Sequence, residues 1–566
     1  MARRDWLYLS LICLLAVVAY FGVWSFGFVY DDLPHLVNNQ SIRSLTPLTK
    51  FILEPGVFIG DLKHPLNWRP VAAFAEAVSW NLFGDKAGYD HLVNLLLHLA
   101  NLTLAYFLLL KLFHKERWLV NAATLIYGVH PILTESVDWI SSQNTLLWTL
   151  FFLLAGILIL QKRLKISYLF FALALLTKET AITGLLILPV FLWIQAVKDN
   201  KVPRPSWKEI ARVSWPYFLI ATVYLFLRWR ILGSVAAYSY GTWLVTPMVF
   251  WKYVNLVFWP VHLIAHYDFY SNIPIPQSFW DERVIGGLFY AGIFIFWFWN
   301  SWKNRRWPEA FGLLWFLAFL VPVLQIIPFI DIFGERALYV PALGLILAIL
   351  NLLKRWNEKL AIPESLQKCA VIALALLLAA MTFARSQAWR NTVTLWESAV
   401  KIDPHNAIAY VNLGSYYLKT EEYNPQKSIE WSQKLLDFWP DYAPARTNLG
   451  LAYEKTGDYD RAEEEFLLAL SKNRGFEITE EKLAYLYELM GVQGGLMGQV
   501  TGDVVDIKVY GVTRPSFFRA EAPSADGSFK ITLLPGTYYL KGGDLTSGQF
   551  TIQKDSWTNV VIDLKK

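Results

Sequence analysis

Two adjacent carboxylates, Asp31 and Asp32, follow directly on a long apolar run, in the stretch Gly27-Phe-Val-Tyr-Asp-Asp-Leu-Pro-His35. Paired carboxylates disfavour each other's ionisation, so one member can hold a raised pKa and take a proton from a hydroxyl. Polar residues recur at the ends of other apolar runs: Arg69, His130 with Glu135, Lys178-Glu179 and Glu335-Arg336. A guanidinium fork matches phosphate oxygens, and an ammonium serves as a point charge for the same group. Together these residues suit one kind of chemistry, proton abstraction from a hydroxyl beside a departing phosphate. The bland alternatives are a solvated loop for the Asp pair, and local ion pairs closing helix ends for Lys178-Glu179 and Glu335-Arg336. His262 and His266 are four apart but have no assured carboxylate partner, so the spacing indicates no divalent metal.

The elements that must position these residues lie in a membrane. The chain has 566 residues, 55% of them hydrophobic and only 17% charged, which excludes a disordered protein and disfavours an ordinary soluble enzyme. The run Trp6–Val29 follows Arg3-Arg4 and is too long for a signal-peptide core, so it reads as a retained first span. Further spans are expected at about 91–110, 118–134, 144–160, 166–177, 180–197, 213–230, 284–302, 309–328, 337–353 and 367–384, which makes about eleven. The run 244–265 is apolar but broken by Pro247, Pro260, His262 and His266. With the N-terminus inside, the inner segments hold 20 Lys/Arg against 7 Asp/Glu, and the outer segments 11 against 15. That asymmetry predicts a cytoplasmic N-terminus and places everything after Ala384, with the Asp pair, on the extracytoplasmic side; in a prokaryote this would be the plasma or inner membrane. Ionisable groups near spans are costly unless paired or facing water, so their gathering at one face suggests a site. The net charge of +5 is small and unevenly placed, which argues against a nucleic-acid partner. Cys13 and Cys369 lie in apolar runs and supply neither a disulfide framework nor a metal site.

Two further modules follow, giving domains of 1–388, 389–493 and 494–566. Asn412-Leu-Gly414 recurs 36 residues later as Asn448-Leu-Gly450, each with a Tyr three positions on, and Pro404 and Pro440 share the interval. This is similar to tetratricopeptide repeats, with Gly and Ala where paired helices approach. Trp396, Ala399 and Pro404 read as a preceding half-unit. From Gly494 short alternating strands take over, and Gly498-Gln-Val-Thr-Gly, Asp526-Gly-Ser-Phe-Lys and Leu534-Pro-Gly-Thr-Tyr-Tyr-Leu predict a small β-sandwich. Those phrases resemble the carboxypeptidase-regulatory-like (prealbumin-like) domain.

Read together, Gly27-Phe-Val-Tyr-Asp-Asp, Trp68-Arg-Pro-Val71, Tyr89-Asp-His-Leu-Val-Asn-Leu-Leu-Leu-His98, His130-Pro-Ile-Leu-Thr-Glu-Ser-Val-Asp-Trp139, Thr177-Lys-Glu179 and Glu335-Arg-Ala-Leu-Tyr-Val-Pro341 resemble one family. It is that of the transmembrane and tetratricopeptide-containing O-mannosyltransferases, and the likeness covers about 5–490. The sequence departs from the pattern at Tyr30, where Phe is common, and at Gln143-Asn144, where Gly-Arg-Ala-Asp is frequent. The resemblance implies a GT-C glycosyltransferase fold and a polyprenyl-phosphate sugar as donor. It implies transfer to Ser or Thr of a polypeptide held by the repeats, with Asp31 or Asp32 as the base. Arg69, His130, Glu135, Lys178, Glu179, Glu335 and Arg336 are then candidates to hold the donor's phosphate and sugar. Two other readings compete: an enzyme building lipid-linked or envelope glycans, and a non-catalytic scaffold recruiting partners. A helical repeat surface favours a polypeptide over the first, and the Asp pair has no purpose in the second.

Overall fold

The computed structural model describes residues 3–563 apart from 61–66, 199–205, 234–242, 268–273, 327–332, 420–421, 473–476, 491–494 and several turns between the last strands. Two compact units divide at Ile402 and Asp403, so Trp396 and Ala399 pack with the first unit, past the boundary read at 388.

The first unit is helical. Besides short turns, its elements are α1 (Arg3–Ala19), α2 (Pro70–Phe83), α3 (Ala87–Leu112), α4 (Arg117–Gly128), α5 (Gln143–Leu160), α6 (Leu164–Thr177) and α7 (Gly184–Lys198). There follow α8 (Trp207–Leu232), α9 (Val245–Phe258), α10 (Glu282–Lys303), α11 (Trp307–Leu320), α12 (Pro341–Leu360), α13 (Glu364–Ser386) and α14 (Thr392–Ile402). Among the described residues, six helices are long and apolar enough to cross a membrane: Arg3–Ser25, Ala87–Leu112, Ile140–Leu160, Lys208–Leu232, Glu282–Lys303 and Glu364–Arg390. Leu164–Thr177, Glu179–Ile194 and Trp307–Val323 are apolar but shorter.

The gap from eleven has local causes. The run 118–134 breaks where α4 ends at Gly128 and Pro131 opens a 3-10 turn, and the run 309–328 breaks where α11 gives way to a 3-10 turn holding Pro322. Proline lacks the N–H that would continue the ladder. By contrast α8 is well bounded. Ser206 and Glu209 form a reciprocal capping box at its start, and Gly233 adopts a left-handed conformation at its end.

Glycine sets one close approach. A Cβ on Gly312 of α11 would sit 2.3 Å from the carbonyl oxygen of Gly344 in α12. Small residues at such crossings let helix backbones meet where lipid offers no hydrophobic drive.

In the second unit α15 (Ala407–Lys419), α16 (Pro425–Phe438), α17 (Ala443–Thr456), α18 (Tyr459–Lys472) and α19 (Glu477–Leu489) stack as antiparallel pairs. A Cβ on Gly450 would lie 2.6 Å from the Phe466 ring, and Asn448 Nδ2 donates to the Val411 carbonyl at 2.9 Å. The recurring Asn and Gly therefore serve helix-to-helix contact. Among the described residues eight strands follow, from β1 (Gly495–Thr501) to β8 (Trp557–Asp563), in a three-stranded and a five-stranded sheet. The turn read at Asp526-Gly527 and the Leu534-Pro535 step lie outside the described residues.

Candidate active site

The turn after the first helix sets the two aspartates apart. Tyr30 has φ of 53°, the left-handed region, and the chain reverses there, with Asp32 N–H donating to the Val29 carbonyl at 3.0 Å. Asp31 is half-buried, while Asp32 is fully enclosed. Asp32 Oδ1 accepts from Ser141 N–H at 2.8 Å and Ser141 Oγ at 2.6 Å, and Oδ2 accepts from Val29 N–H at 3.1 Å. Burial pushes the Asp32 carboxyl up to about 7; the Ser141 and Val29 donors oppose that, and the Asp31 charge adds to it. Asp32 thus ties the turn to the start of α5, and Asp31 is the member left accessible.

The cationic residues converge from four elements. Arg69, just before α2, grips Glu179 with both arms, Nε at 3.1 Å and Nη2 at 2.6 Å, and Arg228 of α8 approaches the same carboxylate at 3.8 Å. Lys178 Nζ donates to Thr145 Oγ1 at 2.7 Å. Arg336 donates its backbone N–H to Glu135 Oε2 at 2.7 Å and pairs through its guanidinium with Oε1. Lys178 lies within electrostatic reach of Arg69, Arg336, Glu179 and Glu135, so the two ion pairs and the lysine form one cluster. Three arginines, Arg69, Arg228 and Arg336, face two carboxylates there, which leaves positive charge for an anion, while burial and then the neighbouring arginines push the Lys178 ammonium well below its ordinary range. The link to the aspartates runs through α2. Its Glu76, buried with neither oxygen partnered among the described residues, feels both Arg69 and Asp32.

Three readings from sequence change. Neither Lys178-Glu179 nor Glu335-Arg336 is a local pair, because Glu179 and Arg336 each find partners more than a hundred residues away. His130 is held by the backbone: its Nδ1 accepts from Ile132 N–H at 3.2 Å and its Nε2 meets the Val257 carbonyl at 3.1 Å. Glu335 accepts from Ile264 N–H and Tyr267 Oη, each at 2.7 Å, and so fastens the segment after α9. At the departure from the family pattern, Asn144 Nδ2 donates to the Ser141 carbonyl at 2.7 Å, which holds the residue that clamps Asp32.

Sequence reasoning missed Ser141, Arg228, Glu76, Asp138 and Arg385. Asp138 is buried and its carboxyl is pushed up to about 8 by that burial, against the pull of Ser386 and Arg385. Asp138 sits inside the quoted His130–Trp139 stretch, and that was its only signal.

A tetratricopeptide-repeat family model matches residues 443–474. A protein O-mannosyl-transferase of Caenorhabditis elegans is 26% identical over 432 residues, covering 72% of this chain and 59% of that protein. The protein O-mannosyl-transferase TMTC3 of Mus musculus is 23% identical over 529 residues, 83% of this chain and 55% of its own length. TMTC1 of Homo sapiens is 25% identical over 500 residues, 76% and 55% respectively. This chain is homologous to these protein O-mannosyl-transferases over most of its length. It spans little more than half the length of the relatives it matches.

Proposed function

We propose that this chain is an inverting GT-C glycosyltransferase that moves a sugar from a polyprenyl-phosphate donor to Ser or Thr of exported polypeptides, on the extracytoplasmic face. The relatives' name makes mannose the first sugar to try. One observation carries the reading. An accessible Asp31 sits on a turn locked by Asp32, and Glu76 stands within electrostatic reach of both Asp32 and Arg69, which belongs to the cluster with Lys178, Arg228 and Arg336.

The arrangement supplies each step. Asp31 takes the proton of the acceptor hydroxyl, and the oxygen attacks the anomeric carbon from the face opposite the phosphate. The bond from that carbon to the phosphate oxygen breaks, and the lipid phosphate leaves with the electron pair. Arg336 and Lys178 stabilise the charge that develops on it. Arg69 and Glu179 brace the cluster, and Glu135 aims Arg336. The loop charge asymmetry supports the orientation, with the apolar runs at 118–134, 166–177, 180–197, 309–328 and 337–353 completing eleven crossings beside the six long helices.

The test is transfer to a Ser/Thr peptide by reconstituted protein given polyprenyl-phosphate mannose. Asp31→Asn removes the proton acceptor at constant size and should lower the rate by about 10²–10⁴-fold. Folded Asp31→Asn protein with wild-type transfer would remove this residue from the chemistry. Absence of transfer from any polyprenyl-phosphate sugar would favour the scaffold reading.

A further inference from the structure

The segment after the last long helix reads in sequence as the start of the repeat array, yet it packs against the turn that carries Asp31. Gly27 N–H donates to the Arg390 carbonyl at 3.0 Å, four residues ahead of Asp31. Trp396 of α14 is wholly buried and meets the Tyr30 ring edge-on at 5.1 Å. On its other side Tyr30 stacks on Trp139 at 5.5 Å, and Trp139 stacks in turn on the buried Trp389 at 6.3 Å. The Arg336 guanidinium sits over the same Trp139 ring at 5.1 Å. Trp139 therefore touches the residue before Asp31, the cation proposed for the phosphate, and the segment after the last span.

We propose that residues 387–402 are an aromatic clasp that positions Asp31 against Arg336 through Tyr30, Trp139, Trp389 and Trp396. The inference rests on the proposed glycosyltransferase reading and extends it to a segment which that reading does not use. The physical argument begins at Tyr30. Its backbone lies in a region that non-glycine residues rarely adopt, and the hydrogen bonds that close the turn come from the backbone and Asp32, not from the tyrosine side chain. The side chain contributes its ring, which this conformation places between Trp139 and Trp396. Aromatic pairs prefer offset-stacked and edge-on arrangements, and Tyr30 makes one stacked and two edge-on contacts, the second edge-on contact with His266 at 6.3 Å. Loosening the Trp139 or the Trp396 contact frees the turn, and Asp31 is the next residue. Trp389 and Trp396 are thus positioning residues, acting through Trp139 and Tyr30 without touching substrate.

Full-length protein carrying Trp396→Ala, Trp396→Phe, Tyr30→Leu or Asp31→Asn is reconstituted with polyprenyl-phosphate mannose and assayed on a short Ser/Thr peptide and on a protein acceptor. A small displacement of a catalytic group costs up to about 10²-fold, so Trp396→Ala should lower kcat by roughly 10-fold or more. Its donor KM should stay within about twofold, since the phosphate cluster is intact. The loss should be equal for peptide and protein acceptors, and Trp396→Phe, which keeps an aromatic edge, should restore most of the rate. Tyr30→Leu acts from the other side of the contact and should reproduce the loss if Trp396→Ala protein does not insert. Wild-type kcat in Trp396→Ala or Tyr30→Leu, a loss confined to the protein acceptor, or no rescue by Phe overturns the clasp. If Asp31→Asn is inactive while the aromatic variants are fully active, the clasp alone falls. If Asp31→Asn is fully active, the base assignment falls and takes the clasp with it.

Discussion

The two aspartates are neighbours in sequence and differ in everything that follows. Asp32 receives three donors and no solvent, whereas Asp31 keeps access to it. The pair was legible in sequence, but the division of labour was not, since it depends on Ser141 and on burial created by distant helices. The sign of the pH effect follows. Burial moves the Asp32 titration up to about 7, and the ionised form is the one that the Ser141 and Val29 donors address. That ionised form holds the turn that presents Asp31. Transfer should therefore rise as pH increases through about 7 and fall off below it. Asp32→Asn should flatten that step, because an amide does not titrate there, and its NH₂ cannot accept from Val29 N–H. A pH profile of kcat/KM for both proteins checks this, and an unchanged step in Asp32→Asn would assign the titration elsewhere. Arg336 poses a different problem. Glu135 beneath it is 1% exposed, so Arg336→Ala strands a buried carboxylate, at a cost on the order of 3–5 kcal/mol for a buried pair. That variant should lose folded protein, measured by thermal unfolding. Arg336→Lys keeps the charge and loses the fork, so it should stay folded and raise the donor KM or lower kcat without abolishing transfer.

Elements were easier to read than their ends. Apolar runs announced the long helices because twenty residues without charge leave few alternatives. The breaks at Gly128 and Leu320 were hidden, since Pro131 and Pro322 sit inside runs that remain apolar beyond them. In the repeats the spacing of Asn-Leu-Gly gave the helix pairing, because a glycine at a crossing has a geometric reason. Gly450 tests that reason. A methyl there would come within 2.6 Å of Phe466, which is itself fully buried in the contact between α17 and α18. Gly450→Ala should destabilise the repeats by roughly 1–3 kcal/mol, as overpacked contacts do. Thermal unfolding followed by circular dichroism would show it as a lowered transition of the second unit. An unchanged transition would mean that Phe466 can swing aside at no cost.

At the scale of the whole molecule, composition announced membrane and tail, and the compact units divide at Ile402 and Asp403, later than the boundary read at 388. The charge pattern and the last long helix suggested that the enzyme ends near Ala388. A cut there severs the turn Gln387–Arg390 and removes Trp389 and Trp396, whose rings pack on the proposed catalytic unit. Packing across the chain decided this, and helix spacing alone could not reveal it. The useful truncation is after Ile402, where the first compact unit ends. A chain of 1–402, inserted in membranes, should retain slow donor hydrolysis and transfer to short peptides at high concentration. On the proposed reading it should lose its protein acceptor, because repeats that bound the polypeptide would raise its effective concentration for transfer and the cut removes that gain. A chain ending at 388 should lose peptide transfer as well. The two truncations and the full chain, compared with one donor on a short peptide and on a protein acceptor, separate the outcomes. Equal glycosylation of the protein acceptor by 1–402 and by the full chain would deny the repeats a role in acceptor choice. Equal peptide transfer by 1–388 and 1–402 would return residues 389–402 to the tail.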